Sequence, residues 1–176
     1  MRDKKDLRVF FALWPSDDTR TWIDQTAGVL QLEGAARRVP VYNLHLTLHF
    51  IGNIFNHELD CLRDQARRVQ SERFSLTLDC FGLFRKPRVA WLGCRNTPDG
   101  LAKLHVKLGT ELGACGFQPE ARAYSPHVTL VRKTLRDPGE VEVEPRTWQV
   151  EKFVLIESRS VGNGVKYEVL ETYPLQ

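Results

Sequence analysis

The chain has 176 residues and a net charge of +3, from 25 Lys and Arg against 22 Asp and Glu. Hydrophobic residues make 42% of it, enough apolar material for a sizeable core and too much for a disordered segment. So small a charge is no general signature of nucleic-acid binding, although it leaves room for a local basic patch.

The opening apolar run, Val9 to Trp14, is too short for a secretory leader or a membrane span. It predicts a strand over Arg8–Trp14, buried on both faces. Pro15-Ser16-Asp17-Asp18 signals a helix start, and Trp22, Ile23, Thr26, Ala27 and Leu30 recur at helical spacing up to Gly34. Leu44–Ile51 predicts a strand closed by Gly52-Asn53. Asn56 caps a second helix with the stripe Leu59, Leu62, Ala66 and Val69. Phe74–Cys80 alternates apolar and polar residues as a half-buried strand. The second half repeats the first. Val89–Gly93 is a strand. Thr97 and Pro98 open a helix striped by Leu101, Leu104, Leu108 and Leu112, and Gly116 stops it. His127–Val131 is again a strand. Gln149–Glu157 and Val165–Glu171 add two more around Gly162-Asn163-Gly164. Arg136–Pro145 is the least structured stretch. Residues 1–176 read as one domain of two repeat-related lobes.

The four cysteines, Cys61, Cys80, Cys94 and Cys115, form no CxxC pair and have no histidine at metal-knuckle spacing. They read as free thiols in a reducing compartment, which places the chain in the cytoplasm.

The repeat carries a phrase: HLTLHFIG at 45–52 and HVTLVRK at 127–133. Alternation along a strand puts His45, Thr47 and His49 on one face and Leu46, Leu48 and Phe50 on the other. His127 and Thr129 share a face in the second copy. Two imidazoles beside two hydroxyls across a cleft suit acid–base chemistry at phosphorus. A pKa near 6.5 lets one ring be neutral and the other charged, while hydroxyls donate to phosphate oxygens. One such His-Thr pair alone is more often a satisfied polar group. Two matched copies inside apolar strands are costly to keep without a role. The motif strands hold no Asp or Glu, and His45 and His49 stand about 13 Å apart along a strand, so neither metal nor cofactor is expected. Arg132 follows the second motif where Phe50 follows the first. Phe11, Phe50 and Trp91 can stack on a base, but core packing is favoured for each. His57 reads as a surface residue and His105 as structural. Arg37/Arg38 and Arg63/Arg67/Arg68 read as solvated faces.

HLTLHFIG and PHVTLVRK, with FFALWP before them and PRVAWLG between, resemble the paired HxTx signatures of the two-histidine (2H) phosphoesterase superfamily. Within it the chain is most similar to the RNA 2′,3′-cyclic phosphodiesterases, also called 2′-5′ RNA ligases. The resemblance covers nearly the whole chain. It implies a bilobal α+β fold, with two antiparallel-rich sheets facing a central cleft and helices outside. It implies His45 as proton donor, His127 as proton acceptor, and Thr47, Thr129 and Arg132 as phosphate-binding groups. The implied partner is RNA ending in a 2′,3′-cyclic phosphate, opened to a 2′-phosphomonoester, with 2′-5′ ligation as the reverse. Contacts would be mostly to the terminal nucleotide. The alternatives are a small-molecule cyclic or 2′-5′ oligonucleotide phosphodiesterase, and a non-catalytic module that grips RNA ends.

Overall fold

The structure, a computed structural model, describes residues 7–138 and 141–176. Ten strands and three α-helices follow in order: β1 (Leu7–Leu13), α1 (Asp17–Thr26), β2 (Arg37–Arg38), β3 (Leu46–Ile54), α2 (Asn56–Arg67), β4 (Phe74–Leu78), β5 (Cys80–Phe84), β6 (Val89–Gly93), α3 (Asp99–Leu112), β7 (His127–Arg132), β8 (Arg146–Val150), β9 (Lys152–Val161) and β10 (Gly164–Pro174). The chain is therefore α+β, and its strand pairs are antiparallel throughout.

The main sheet runs β10-β9-β1-β3-β7-β6-β5, with β2 on β7. Read outward from its centre, β3-β1-β9 mirrors β7-β6-β5, so the sequence repeat appears as a near-palindromic strand order. The two sheets expected from the repeat are the halves of this path, joined at β3–β7 by the single pair Leu46↔Val128. A separate ribbon pairs β4 with β8.

One face of the main sheet carries the larger core. Val9, Phe11 and Leu13 of β1 pack there with Leu46, Leu48, Leu92, Val128 and Leu130, and with Leu101, Leu104, Leu108 and Leu112 of α3. On the other face Phe10, Ala12, Val154 and Ile156 form a smaller cluster, covered in part by Trp14 and Tyr167. This is why β1 reads as an unbroken apolar run: both its faces are buried.

Local chemistry sets the helix ends. Ser16 caps α1 through the amide of Thr19. α1 ends at Thr26, short of Gly34, and a 3₁₀ turn continues to Val29. The Glu58 carboxylate takes the Phe55 amide at 2.7 Å, so α2 starts at Asn56 with Phe55, not Asn56, in the capping position. Pro98 occupies the cap of α3, one residue later than Thr97.

The cysteine reading is corrected in part. Cys61 on α2 and Cys115 after α3 form a disulfide with Cα atoms 5.9 Å apart, while Cys80 and Cys94 are free. The two bridged residues are 54 positions apart, and only the packing of α2 beside α3 brings them together. Spacing along the chain carries no trace of that.

Candidate active site

Both motif strands contain the same irregularity. β3 pairs Phe11 with His49 and Ala12 with Thr47, leaving Leu48 as an extra residue. β7 pairs Ala90 with Val131 and Trp91 with Thr129, leaving Leu130 extra. Each motif leucine is thus the bulged residue, and both hexads, 45–50 and 127–132, show one burial pattern: half-buried, buried, half-buried, buried, buried, exposed. A bulge resets which face later residues occupy. His49 therefore turns into the core, 4% exposed, and Phe50 turns out, 47% exposed. The alternation had put each on the opposite side. Arg132, at the matching place in the second copy, turns out with Phe50. The two line one pocket of ≈ 350 Å³ with Arg8, Phe10, His45, Thr47, Ser158, Val165 and Tyr167.

The pair Leu46↔Val128 fixes the relation of the motifs. In an antiparallel register it sets His45 against Thr129 and Thr47 against His127 on one face of the sheet; of these four, His45 and Thr47 line the pocket. The imidazoles are held alike. His45 Nδ1 lies 2.7 Å from the carbonyl of Asn43, and His127 Nδ1 lies 2.8 Å from that of Ser125. A carbonyl only accepts, so each Nδ1 carries hydrogen, and in the neutral ring Nε2 is the basic atom. The Thr47 hydroxyl donates to His45 Nε2 at 3.0 Å.

Burial pushes the His45 pKa down to about 4; the Asn43 carbonyl opposes this, and the positive charges of Arg132, His127 and Arg20 add to it. Phe10, Trp14 and Tyr167 ring the imidazole at centroid distances of 4.8, 6.1 and 5.1 Å. Burial also lowers the His127 pKa, against its Ser125 hydrogen bond and with help from Arg122 and Arg132. Phe84 meets His127 edge-on at 4.8 Å, and Trp91 lies 6.2 Å away. Trp91 rests flat on the sheet. A Cβ at Gly82 would come within 2.0 Å of its ring, so glycine is required there. Two locked rings with basic Nε2 atoms, an arginine and two hydroxyls can hold an anion and pass protons on either side of it.

The other sequence candidates separate cleanly. Phe11 is core, 0% exposed. His49 and His105 stack at 4.1 Å, and Tyr124 stacks on His105 at 3.8 Å, all behind the motif. His57 is exposed beside Phe55. Arg63 and Arg67 both reach Glu171 of β10, and Arg38 pairs with Asp24, so these act as ties between elements rather than as loose solvated charges.

Reading the sequence missed Asn43, Phe10, Trp14 and Tyr167. Asn43 is 2% exposed; its amide donates to the Val165 carbonyl and accepts from the Tyr167 amide, which brings β10 against His45. Its position two before the motif histidine was the only available signal. Tyr167 has none, since it arrives from a strand more than a hundred residues later.

An α+β sheet built about two bulged His-x-Thr-Leu strands is the 2H phosphoesterase fold. The chain belongs to the 2′-5′ RNA ligase superfamily, whose family model matches residues 15–162. It is 32% identical over 173 residues, 96% of each chain, to the RNA 2′,3′-cyclic phosphodiesterase of Escherichia coli (strain K12). It is 28% identical to that of Thermus thermophilus over 97% of this chain and 91% of the other. The crystal structure of E. coli LigT in apo form superposes with a TM-score of 0.86 at 30% identity, covering 98% of this chain and 99% of that one.

Proposed function

We propose that this protein hydrolyses RNA 2′,3′-cyclic phosphate ends to 2′-phosphomonoesters. The observation that carries the reading is the pair of imidazoles with tied Nδ1 atoms, His45 directly before β3 and His127 at the start of the adjacent β7. The curated relatives, named RNA 2′,3′-cyclic phosphodiesterases, support it.

In the reaction His127 is the proton acceptor and His45 the proton donor. A water attacks phosphorus and loses its proton to His127 Nε2. The P–O3′ bond breaks, and His45 gives its proton to O3′. The product keeps phosphate on O2′. Thr47, Thr129 and Arg132 hold the non-bridging oxygens. His45 is neutral in the free protein. A bound phosphate anion offsets Arg132 and favours the charged ring, so His45 takes up its proton as substrate enters. The reverse reaction joins a 5′-hydroxyl to the cyclic phosphate and gives a 2′-5′ linkage.

Residues 1–176 act as one bilobal unit, a view supported by a sheet that passes from lobe to lobe. Among the described residues no three His, Cys, Asp or Glu side chains gather as a metal site, and no helix is long and apolar enough to cross a membrane. The site is assigned to the cytoplasm on its RNA substrate alone, because the Cys61–Cys115 bridge removes the thiol argument.

The test is incubation with an oligoribonucleotide ending in 2′,3′-cyclic phosphate, with and without EDTA. The expected product is the 2′-phosphate at equal rates. A 3′-phosphate product, or activity lost to EDTA and restored by metal, overturns the two-histidine assignment. Retained RNA binding with no turnover in the parent protein would leave only the binding module.

A further inference from the structure

The corner of the sheet beyond Arg132 has a charge that the reaction does not use. In register, Arg132 pairs with Arg37 of β2 on one side and with Val89 of β6 on the other. Arg88 precedes Val89, Lys133 follows Arg132, and the Thr134 amide donates to the Arg88 carbonyl at 3.1 Å. Lys86 lies in the β5–β6 turn with Arg88. Arg37, Lys86, Arg88, Arg132 and Lys133 are all exposed, and none makes an ion pair with a described residue. Five cations without an ion-pair partner among the described residues therefore stand where the strands β2, β6 and β7 end, Arg37 Nη1 donating to the Ala36 and Gly34 carbonyls, in a chain whose whole excess is +3.

Backbone conformation adds an independent point. Among the described residues, Arg88 and Lys133 are the non-glycine residues with positive φ, at 67° and 58°. A bulky side chain in the left-handed region is strained, and glycine or asparagine would avoid most of that. Both strained places hold a cation instead. Arg132 itself lines the pocket, so the charged corner is continuous with the reactive end of the cleft.

We propose that this corner is a track for the phosphodiester backbone of single-stranded RNA leading away from the cyclic end. It rests on the cyclic-phosphodiesterase reading for the direction of the strand, and it extends contact past the terminal nucleotide. Evenly spaced negative charge is the chemistry that five unpaired cations recognise, and phosphate contacts carry no sequence information. The track therefore adds affinity for length without adding preference for sequence.

The experiment compares parent, Arg88→Asn/Lys133→Asn and Arg68→Gln. Asparagine tolerates the left-handed backbone, and Arg68 is an exposed cation at the C-terminal cap of the far helix α2. The substrates are an oligoribonucleotide with a 2′,3′-cyclic end and a 2′,3′-cyclic mononucleotide, each over a salt series. Binding of the same labelled oligonucleotide is followed by anisotropy. In the double variant the oligonucleotide KM and Kd should rise about three- to tenfold, and the slope of log affinity on log salt should fall by about 1.4, the loss of two single-strand contacts. Turnover of the cyclic mononucleotide should not change, and Arg68→Gln should behave as parent. An unchanged salt slope in the double variant, or an equal effect from Arg68→Gln, overturns the track. If the parent turns over neither substrate, the reaction assignment fails, and the anisotropy series still decides the track.

Discussion

Two imidazoles of identical chemistry occupy environments of unequal severity. His45 sits among Phe10, Trp14 and Tyr167 and feels Arg132, Arg20 and His127; its pKa is pushed down to about 4, while that of His127 is lowered less. Both shifts favour the neutral ring in the free protein. The pH profile of kcat/KM should therefore be a bell centred below pH 6.5, and the kcat profile, which reports the complex, should lie higher because the bound anion favours charged His45. Arg132 lowers both pKa values, so Arg132→Gln should move both limbs of the kcat/KM profile upward while cutting turnover roughly ten- to a hundredfold, the worth of a charge-assisted phosphate contact. A profile that keeps its position after this change would place Arg132 outside the site. His45→Ala and His127→Ala should each lower kcat by about 10²–10⁴, the usual scale of a lost general acid or base. A stopped assay on the cyclic oligonucleotide measures all three variants.

At the scale of elements the two bulges decide the site. The residues that make a strand were legible in His-x-Thr-Leu, and so were the faces of His45, Thr47, His127 and Thr129. The bulge at Leu48 was not, because it is defined by the partner strand β1 and not by the residues of β3. Periodicity therefore placed His49 in the cleft and Phe50 in the core, and the structure exchanges them. Recurrence of the bulge at Leu130 makes it a property of the repeat, and it is what aims Arg132 into the pocket. Helix starts moved by one residue for a similar reason: Glu58 supplies the bond that Asn56 was expected to make. The turn before β3 is a second such element. Asn43 spans the Val165 carbonyl and the Tyr167 amide, and its own carbonyl holds His45. Asn43→Ala should remove both half-buried hydrogen bonds that tie the turn to β10 and cost about 1–3 kcal/mol. It should also lower kcat, since β10 carries the Tyr167 ring that packs on His45. Chemical denaturation and the cyclic-phosphate assay, run on the same preparation, check both effects. Full activity with lost stability would separate β10 from the chemistry.

In the whole molecule the lobes are fastened on both sides of the sheet. At the cleft they join at the pair Leu46↔Val128, by the Tyr124 hydroxyl donating to the Thr47 carbonyl at 2.9 Å, and where β2 lies on β7 and the Val39 amide donates to the Leu130 carbonyl at 2.8 Å. On the far side α2, which follows the first motif strand, packs against α3 of the second lobe, and Cys61–Cys115 joins them. A cross-link over 54 positions restricts the unfolded chain far more than the folded one. The chain-entropy argument gives such a loop about 4 kcal/mol of stability. The folded lobes do not depend on it for contact, because Leu62 of α2 and Leu108 and Leu112 of α3 are buried in the same core. Cys61→Ala/Cys115→Ala should therefore unfold at a lower denaturant concentration, by that amount of free energy, while kcat and KM on the cyclic mononucleotide stay within about twofold, as expected for sites that do not interact. The parent protein treated with reductant should follow the variant, and the variant should no longer respond to reductant. Mass analysis after alkylation must find two modified thiols in the untreated parent, Cys80 and Cys94, which remain free. Four modified thiols, or equal midpoints with and without reductant, would remove the bridge from the account of how the lobes are held and return all four cysteines to the reduced state their spacing had suggested.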